Sequence, residues 1–119
     1  MQSKTKNETG IIAIEYDVIA RVAGLAAMDS YGVVGMAAKN IRDGISHLLK
    51  RESLTKGVII TKQDDGISID LHIIVEYGTN ISAIAQSLSD AVKYRVEEYV
   101  GVRVTNVSIF VDGIRMSKV

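Results

Sequence analysis

Apolar and polar residues alternate most regularly within residues 57–78, and the alternation predicts two antiparallel strands. On the second strand, one set of side chains points to one side: Ile67, Ile69, Leu71, Ile73 and Val75. The intervening set points to the other side: Ser68, Asp70, His72, Ile74 and Glu76. The Asp65-Gly66 pair predicts the tight turn, because Gly accepts the positive φ that two-residue turns favour. One face of the hairpin should therefore join a core, and the other face is mixed.

Two further segments carry apolar residues at helical spacing. The first helix should begin at Asp17, whose carboxylate can cap the free amides of the first turn, and should end before Gly32. Its apolar stripe consists of Val18, Ile19, Val22, Ala23, Ala26 and Ala27. The second helix should begin after Thr79 or Asn80 and end at Gly101. Its apolar stripe consists of Ile81, Ile84, Ala85, Leu88, Val92, Val96 and Tyr99.

Short apolar runs predict the remaining strands at residues 11–14, 33–36 and 102–111. The apolar phase of the last run slips near Thr105 and Asn106, which predicts a bulge there. Strand-helix-strand units on either side of the hairpin predict an α+β fold. We expect a two-layer sandwich, with a mixed sheet of about five strands and helices mainly on one face.

The length of 119 residues predicts one domain. The expected boundaries are a flexible N-terminal tail at residues 1–9, a single domain at residues 10–113 and a short C-terminal tail at residues 114–119. Basic and acidic residues balance to a formal net charge of zero, which argues against a surface that follows nucleic acid throughout. The absence of cysteine excludes disulfides and thiolate chemistry. Without a secretory signal or a long apolar span, the chain is expected to be cytoplasmic.

Residues 37–56 combine helical spacing with positive charge. Their apolar positions would share one helix face: Ile41, Ile45, Leu48 and Leu49. Basic residues surround that face, including Arg42, Lys50 and Arg51. Two interpretations of this basic amphipathic helix remain open. It covers one edge of the core with its basic residues solvated, or it docks on a membrane surface or a partner.

Candidate catalytic and ligand-binding residues are few. The two histidines, His47 and His72, lie on different predicted elements. Asp70 and His72 share one strand face, but two ligands do not make a metal site, and a solvated strand face is the better interpretation. No phosphate-binding glycine motif is present in the sequence. We therefore predict no catalytic, cofactor-binding or metal-binding residues, and a protein that is not an enzyme.

A nucleic-acid interpretation rests on residues 32–35, GVVG, which superficially match the GXXG loop of KH domains. That loop usually carries polar or basic residues between its glycines, whereas Val33 and Val34 stand here. A short buried strand is therefore favoured, and no nucleic-acid partner is expected.

Several segments keep an order and spacing that are typical of one known family: residues 10–12 (GII), 18–27 (VIARVAGLAA), 32–36 (GVVGM), 56–58 (KGV), 69–78 (IDLHIIVEYG), 92–96 (VKYRV) and 101–107 (GVRVTNV). Through them the sequence, over residues 10–113, resembles the alkaline-shock and general-stress protein family, also called the envelope stress response family. The chain lacks the extended charged tail of the longer members. It is therefore most similar to the short, single-domain branch of that family.

The resemblance implies a small cytoplasmic protein, without catalytic activity or cofactor, that acts in bacterial cell-envelope homeostasis or stress response. Some members of the family gather at the membrane through a separate membrane-anchored protein, and some self-assemble. The resemblance therefore implies protein partners, membrane association through such a partner, and a homo-oligomer as a further alternative.

Two surfaces are candidate interaction sites under this hypothesis. The first is the sheet face around Asp70, His72 and Ile74, chosen because Ile74 is a large apolar group on a face predicted to be polar. The second is the basic segment, with Ile41, Arg42, Ile45, Leu48, Leu49, Lys50 and Arg51. The alternative function is peripheral binding of a lipid or membrane surface through residues 37–56.

Overall fold

The computed structural model of the protein describes residues 6–40, 45–48 and 51–116. The elements follow in the order α1 (Lys6–Met28), β1 (Val33–Asn40), β2 (Ile45–Leu48), a 3-10 helix (Arg51–Gly57), β3 (Val58–Gln63), β4 (Gly66–Glu76), α2 (Ile81–Tyr99) and β5 (Val104–Arg115). These elements form the predicted α+β fold, in which two helices cover one face of a mixed sheet.

The 11-residue strand β4 is the centre of the five-stranded sheet. Along one edge it pairs in parallel with β5 over almost its whole length. Two strands share its other edge: β3 pairs antiparallel with the first half of β4, and β1 pairs antiparallel with the second half. The end of β1 continues past the sheet and pairs with β2 in a separate ladder. The parallel pair of β4 and β5 is joined by α2, as expected for a crossover connection.

The helix-facing side of β4 forms the middle of the hydrophobic core. Its alternating residues are buried as predicted: Ile67, Ile69, Leu71, Ile73 and Val75. Helix α1 adds Ile19, Ala20, Ala23, Ala26 and Ala27 to the core, and α2 adds Ile84, Leu88, Val92 and Val96. Because the buried stripe of α1 consists mostly of alanines, this helix can lie close to the sheet. Val18, predicted to belong to the stripe, is exposed.

Helix α2 begins and ends as the sequence predicts. The Asn80 side chain accepts a hydrogen bond of 3.0 Å from the backbone N–H of Ala83, which satisfies one free amide of the first turn. Beyond the C-terminal end, Gly101 has φ of +82°, in the left-handed region that glycine accepts without a steric penalty. Local capping signals therefore define both ends of this helix.

The predicted strand at residues 11–14 is wrong, because α1 begins at Lys6 and runs through this segment. Ile11 and Ile14 are three residues apart, a spacing that also fits one face of a helix. Asp17 is consequently inside the helix and does not cap it. Its carboxylate instead forms an ion pair of 2.9 Å with Arg21, one turn further along.

The predicted helix within residues 37–56 is also wrong. Ile45 and Leu48 belong to β2, which pairs with the end of β1, and Arg51 begins the 3-10 helix. A strand repeats every two residues and a helix every 3.6, so the spacing that predicted the helix does not define a face of β2. The remaining candidates of this segment, Ile41, Arg42, Leu49 and Lys50, lie outside the described residues.

The β3–β4 hairpin is present, but its turn is one residue earlier than predicted. Gln63 pairs with Gly66, so the two turn residues are Asp64 and Asp65. Gly66 is required for a different reason. A side chain there would overlap the carbonyl oxygen of Arg103. The same oxygen accepts a hydrogen bond of 2.9 Å from the N–H of Ile67.

Candidate functional site

The sheet face that points away from the helices carries the candidate site. The pairing of β4 with its neighbours places three side chains in one row across this face, Ile59, Asp70 and Ser108. The next row joins His72 and Phe110. We call the surface formed by Ile59, Asp70, His72, Ser108 and Phe110 the outer face.

Ile74, the residue that suggested this face from the sequence, is not available for binding. Its side chain is 1% exposed, so the prediction of an exposed apolar group at this position is wrong. Ile74 pairs with Gly35 on β1 and with Gly113 on β5, neither of which has a side chain. An added Cβ at Gly113 would lie 3.6 Å from Cγ1 of Ile74, which shows that the side chain packs against this glycine. Ile74 is therefore part of the packed interior.

His72 has a fixed environment that differs from the solvated strand face predicted for it. The residue is 6% exposed, and its Nδ1 lies 2.9 Å from Oδ2 of Asp112. Asp112 occupies a bulge of β5, because Ile73 pairs with Val111 while Ile74 already pairs with Gly113. A buried imidazole needs a hydrogen-bond partner, and the bulge supplies one from the neighbouring strand.

Phe110 lies flat against His72. The two ring centroids are 4.9 Å apart and the ring planes differ by 15°, which is a stacked arrangement. Phe110 is nevertheless 43% exposed. The arrangement forms a chain of contacts in which Asp112 holds His72, and His72 supports an aromatic ring that faces the solvent.

Ile59 provides a second exposed apolar group on the outer face, on β3 at the opposite edge of β4. Its side chain is 48% exposed, and the half-buried Asp70 and Ser108 lie beside it in the same row. Neither Ile59 nor Phe110 was predicted from the sequence as a site residue. The signal was present, since each alternates with neighbours that point into the core: Val58 and Ile60 on β3, Ile109 and Val111 on β5.

The predicted bulge near Thr105 and Asn106 is confirmed, because Ile67 pairs with Val104 and Ser68 pairs with Asn106. The Thr105 hydroxyl, in the bulge, donates a hydrogen bond of 3.0 Å to the carbonyl oxygen of Ile67. The second bulge, at Asp112, was not predicted. This second bulge places Asp112 beside His72.

The described ranges contain neither a cluster of metal ligands nor a helix that could cross a membrane. Residues 6–40, 45–48 and 51–116 contain no cluster of three or more His, Cys, Asp or Glu side chains that could hold a metal ion. Asp70 and His72 are thus not joined by a third ligand among these residues. In the same ranges, no helix has both the length and the hydrophobicity needed to cross a bilayer.

The chain is similar to known proteins over most of its length. Residues 4–116 match the model of the alkaline-shock protein family, which is described by a "cell envelope-related function". The uncharacterized protein YloU of Bacillus subtilis is 43% identical over 118 residues, which are 98% of each chain. The uncharacterized protein Spy1614 of Streptococcus pyogenes is 36% identical over 98% of this chain and 97% of its own. Among solved structures, a MamM-CTD variant superimposes with a TM-score of 0.48 at 16% identity, over 82% of this chain and 95% of its own.

Proposed function

This chain belongs to the alkaline-shock protein family, whose function is related to the cell envelope, and on that premise we propose that it is an interaction module that works by binding a protein. The outer face is the proposed docking surface. The resemblance to this family, inferred from the sequence, is confirmed by the family match over residues 4–116.

The observation that carries the proposal is the support of Phe110 by His72. A side chain that is exposed and already held in one orientation loses little conformational entropy when a partner covers it. Aromatic residues are also frequent among the few side chains that supply most of the binding energy at interfaces. Phe110, stacked on a histidine that Asp112 fixes, meets both conditions.

The surroundings of Phe110 fit a protein partner better than a charged polymer. Ile59 offers a second apolar contact, and Asp70 and Ser108 lie between the two. Protein interfaces commonly combine a small apolar centre with polar groups that form hydrogen bonds. The partner should therefore present apolar side chains to Phe110 and Ile59, together with a hydrogen-bond donor for Asp70.

The same geometry supports binding rather than catalysis. A catalytic histidine must reach the proton that it transfers. The imidazole of His72 is instead buried, bonded through Nδ1 to Asp112 and stacked against Phe110. Its position is that of a structural support for the exposed ring.

We propose that this protein is linked to the cell envelope through its partner. The partner implied by the family resemblance is membrane-anchored, and this protein would act in the cytoplasm. The alternative of direct lipid binding relied on a basic amphipathic helix at residues 37–56. Ile45 and Leu48 lie in a strand, so the described structure offers no such helix to support that alternative.

The proposal is tested by partner capture in a bacterium whose own copy has been deleted. Tagged wild-type protein, Ile59→Glu, Phe110→Ala and the control Tyr94→Glu are produced at the native level and cross-linked in cells. Tyr94 is exposed like Ile59 but lies on α2, in the layer on the other side of the sheet. Each variant is first checked for an unchanged thermal transition.

We expect the wild-type protein and Tyr94→Glu to recover the same envelope-associated protein, and Ile59→Glu and Phe110→Ala to lose it. The two outer-face variants should also fail to restore growth under cell-wall stress. If they capture the same protein as the wild type and restore growth, the outer face is not the docking surface. Loss of capture in Tyr94→Glu would contradict the proposal equally.

A further inference from the structure

The outer edge of β5 is a second surface without a described partner. The strand is 12 residues long and pairs with β4 on one side. Within residues 6–40, 45–48 and 51–116, no strand pairs with its other side. Such an edge presents a row of backbone N–H and C=O groups to any strand that can align with it.

The middle of β5 lacks the features that usually protect an edge strand. Between the two bulges, residues 106–111 keep an unbroken register with β4. Their sequence, NVSIFV, contains no charged residue, no proline and no glycine. Lysine, proline, inward-pointing charges and bulges are the common means by which edge strands avoid pairing. Here the bulges lie only at the two ends of the six-residue segment.

The hydrophobic core is also incomplete along this edge. Val107, Ile109 and Val111 of β5 point toward the helix layer and are only partly buried. Their partners on β4 are Ile69, Leu71 and Ile73, all of which are 0% exposed. Burial of the apolar side chains is therefore complete on the central strand β4 and only partial on the neighbouring strand β5.

We propose that the outer edge of β5 pairs antiparallel with the same edge of a second copy of this chain, which joins two five-stranded sheets into one. A two-fold axis normal to the sheet pairs a residue at the centre with itself. This register, centred on Ser108 or Ile109, places the helix-facing residues of one copy beside those of the other. Both helix layers then lie on the same side of the joined sheet, where the half-buried apolar residues can cover each other.

Two observations favour a second copy as the occupant. The formal net charge of zero means that two copies do not repel each other at long range. Helix α2 lies over β5. Arg95 marks the flank of α2 toward α1, because its guanidinium lies 3.1 Å from the carboxylate of Asp29, directly after α1. At 100° per residue, the flank on the other side of the buried stripe carries the small residues Ala85 and Ser89. Small side chains on that flank allow the α2 helices of the two copies to approach each other.

The absence of cysteine from the sequence permits a direct test of this pairing. Cysteine is introduced singly at Ser108, at Ile109 and, as a control, at the exposed Thr61 on β3. Directly opposed residues of antiparallel strands have Cα atoms about 4.5–5.5 Å apart, within the range of about 4.4–6.8 Å that a disulfide requires. We expect Ser108→Cys or Ile109→Cys to form a disulfide-linked dimer under mild oxidation at micromolar concentration. The Thr61→Cys control should form little disulfide-linked dimer, although it should still associate through its unchanged β5 edge.

A second measurement uses sedimentation velocity on Ile109→Lys and Ile60→Lys. Both residues are half-buried, helix-facing isoleucines on the outermost strands of the sheet, so both variants lose a similar packing contribution. The wild type and Ile60→Lys should sediment as dimers, and Ile109→Lys as a folded monomer, because a lysine there would be buried in the joined edge opposite Val107 or its own copy, depending on the register. The proposal is overturned if neither cysteine position cross-links faster than Thr61→Cys, or if the wild type is monomeric. Loss of self-association leaves the capture of a different protein by the outer face unaffected, so the two proposals are tested separately.

Discussion

Oδ2 of Asp112 lies 2.9 Å from Nδ1 of His72 because β5 carries one additional residue between Val111 and Gly113. Without this bulge, Asp112 would pair with Ile74 and its carboxylate would lie further from the imidazole. The bulge therefore supports the buried histidine, and the histidine in turn supports the exposed Phe110.

Replacement of Asp112 tests the energetic role of this hydrogen bond. Asp112→Ala leaves a buried imidazole nitrogen without a partner and should lower the free energy of unfolding by about 1–3 kcal/mol. Asp112→Asn keeps an oxygen that can accept the Nδ1–H and should cost less than half as much. Urea denaturation measures both values. Equal losses for the two variants would contradict a role for the hydrogen bond.

Ile74 and Ile59 should respond differently to the same substitution. Ile74→Ala removes a side chain that is 1% exposed and should lower the free energy of unfolding by about 3 kcal/mol. Ile59→Ala removes one that is 48% exposed and should cost less than about 1 kcal/mol. Thermal and urea unfolding of both variants provide the comparison. A larger loss for Ile59→Ala would mean that the outer face is covered at Ile59.

Two glycines with positive φ differ in their surroundings: a side chain would meet a neighbouring atom at one of them and open space at the other. Gly78 has φ of +87° and nothing within 4 Å of an added Cβ, so Gly78→Ala should cost only the left-handed backbone penalty, about 1–2 kcal/mol. In Gly66→Ala, the added methyl group would overlap the carbonyl oxygen of Arg103, so the backbone at Arg103, directly before β5, would have to move. We expect a clearly lower urea midpoint for Gly66→Ala than for Gly78→Ala. The reverse order would contradict the close approach of Arg103.

The start of α2 depends on the side chain of Asn80. Asn80→Ala removes the acceptor for the N–H of Ala83 and should lower the free energy of unfolding by about 1 kcal/mol. Asn80→Asp retains an acceptor and adds a negative charge at the helix N-terminus, so it should be close to the wild type. Urea unfolding of the two variants is the measurement, and a loss in Asn80→Asp as large as that in Asn80→Ala would exclude a capping role.

Strand β4 and helix α2 could be predicted well from the sequence because their signals are local. Strict alternation from Ile67 to Val75 defines the buried side of the strand, and Asn80 and Gly101 mark the helix ends. The pattern at Ile45 and Leu48 failed because a three-residue spacing fits a helix locally, whereas the observed strand is defined by pairing with Ala37 to Asn40.

The candidate site could be predicted only in part, because it is assembled by long-range pairing. His72 and Asp112 are 40 positions apart, and they meet because β4 and β5 pair in parallel and β5 carries a bulge. No local sequence pattern predicts that bulge. The burial of Ile74 similarly depends on Gly35 and Gly113, which are contributed by two other strands. Asp70 and His72 were correctly placed on one face, but the exposed groups of that face, Ile59 and Phe110, were not selected.

Site-specific photo-cross-linking in cells shows whether the outer face binds a protein partner. A photoreactive phenylalanine analogue is placed at Ile59 or, as the control, at Tyr94, and the cells are irradiated before membrane and soluble fractions are separated. We expect one discrete adduct with a different protein at position 59 and none at position 94. No adduct at position 59, an adduct formed only with a second copy of this chain, or the same adduct at both positions would contradict the proposal.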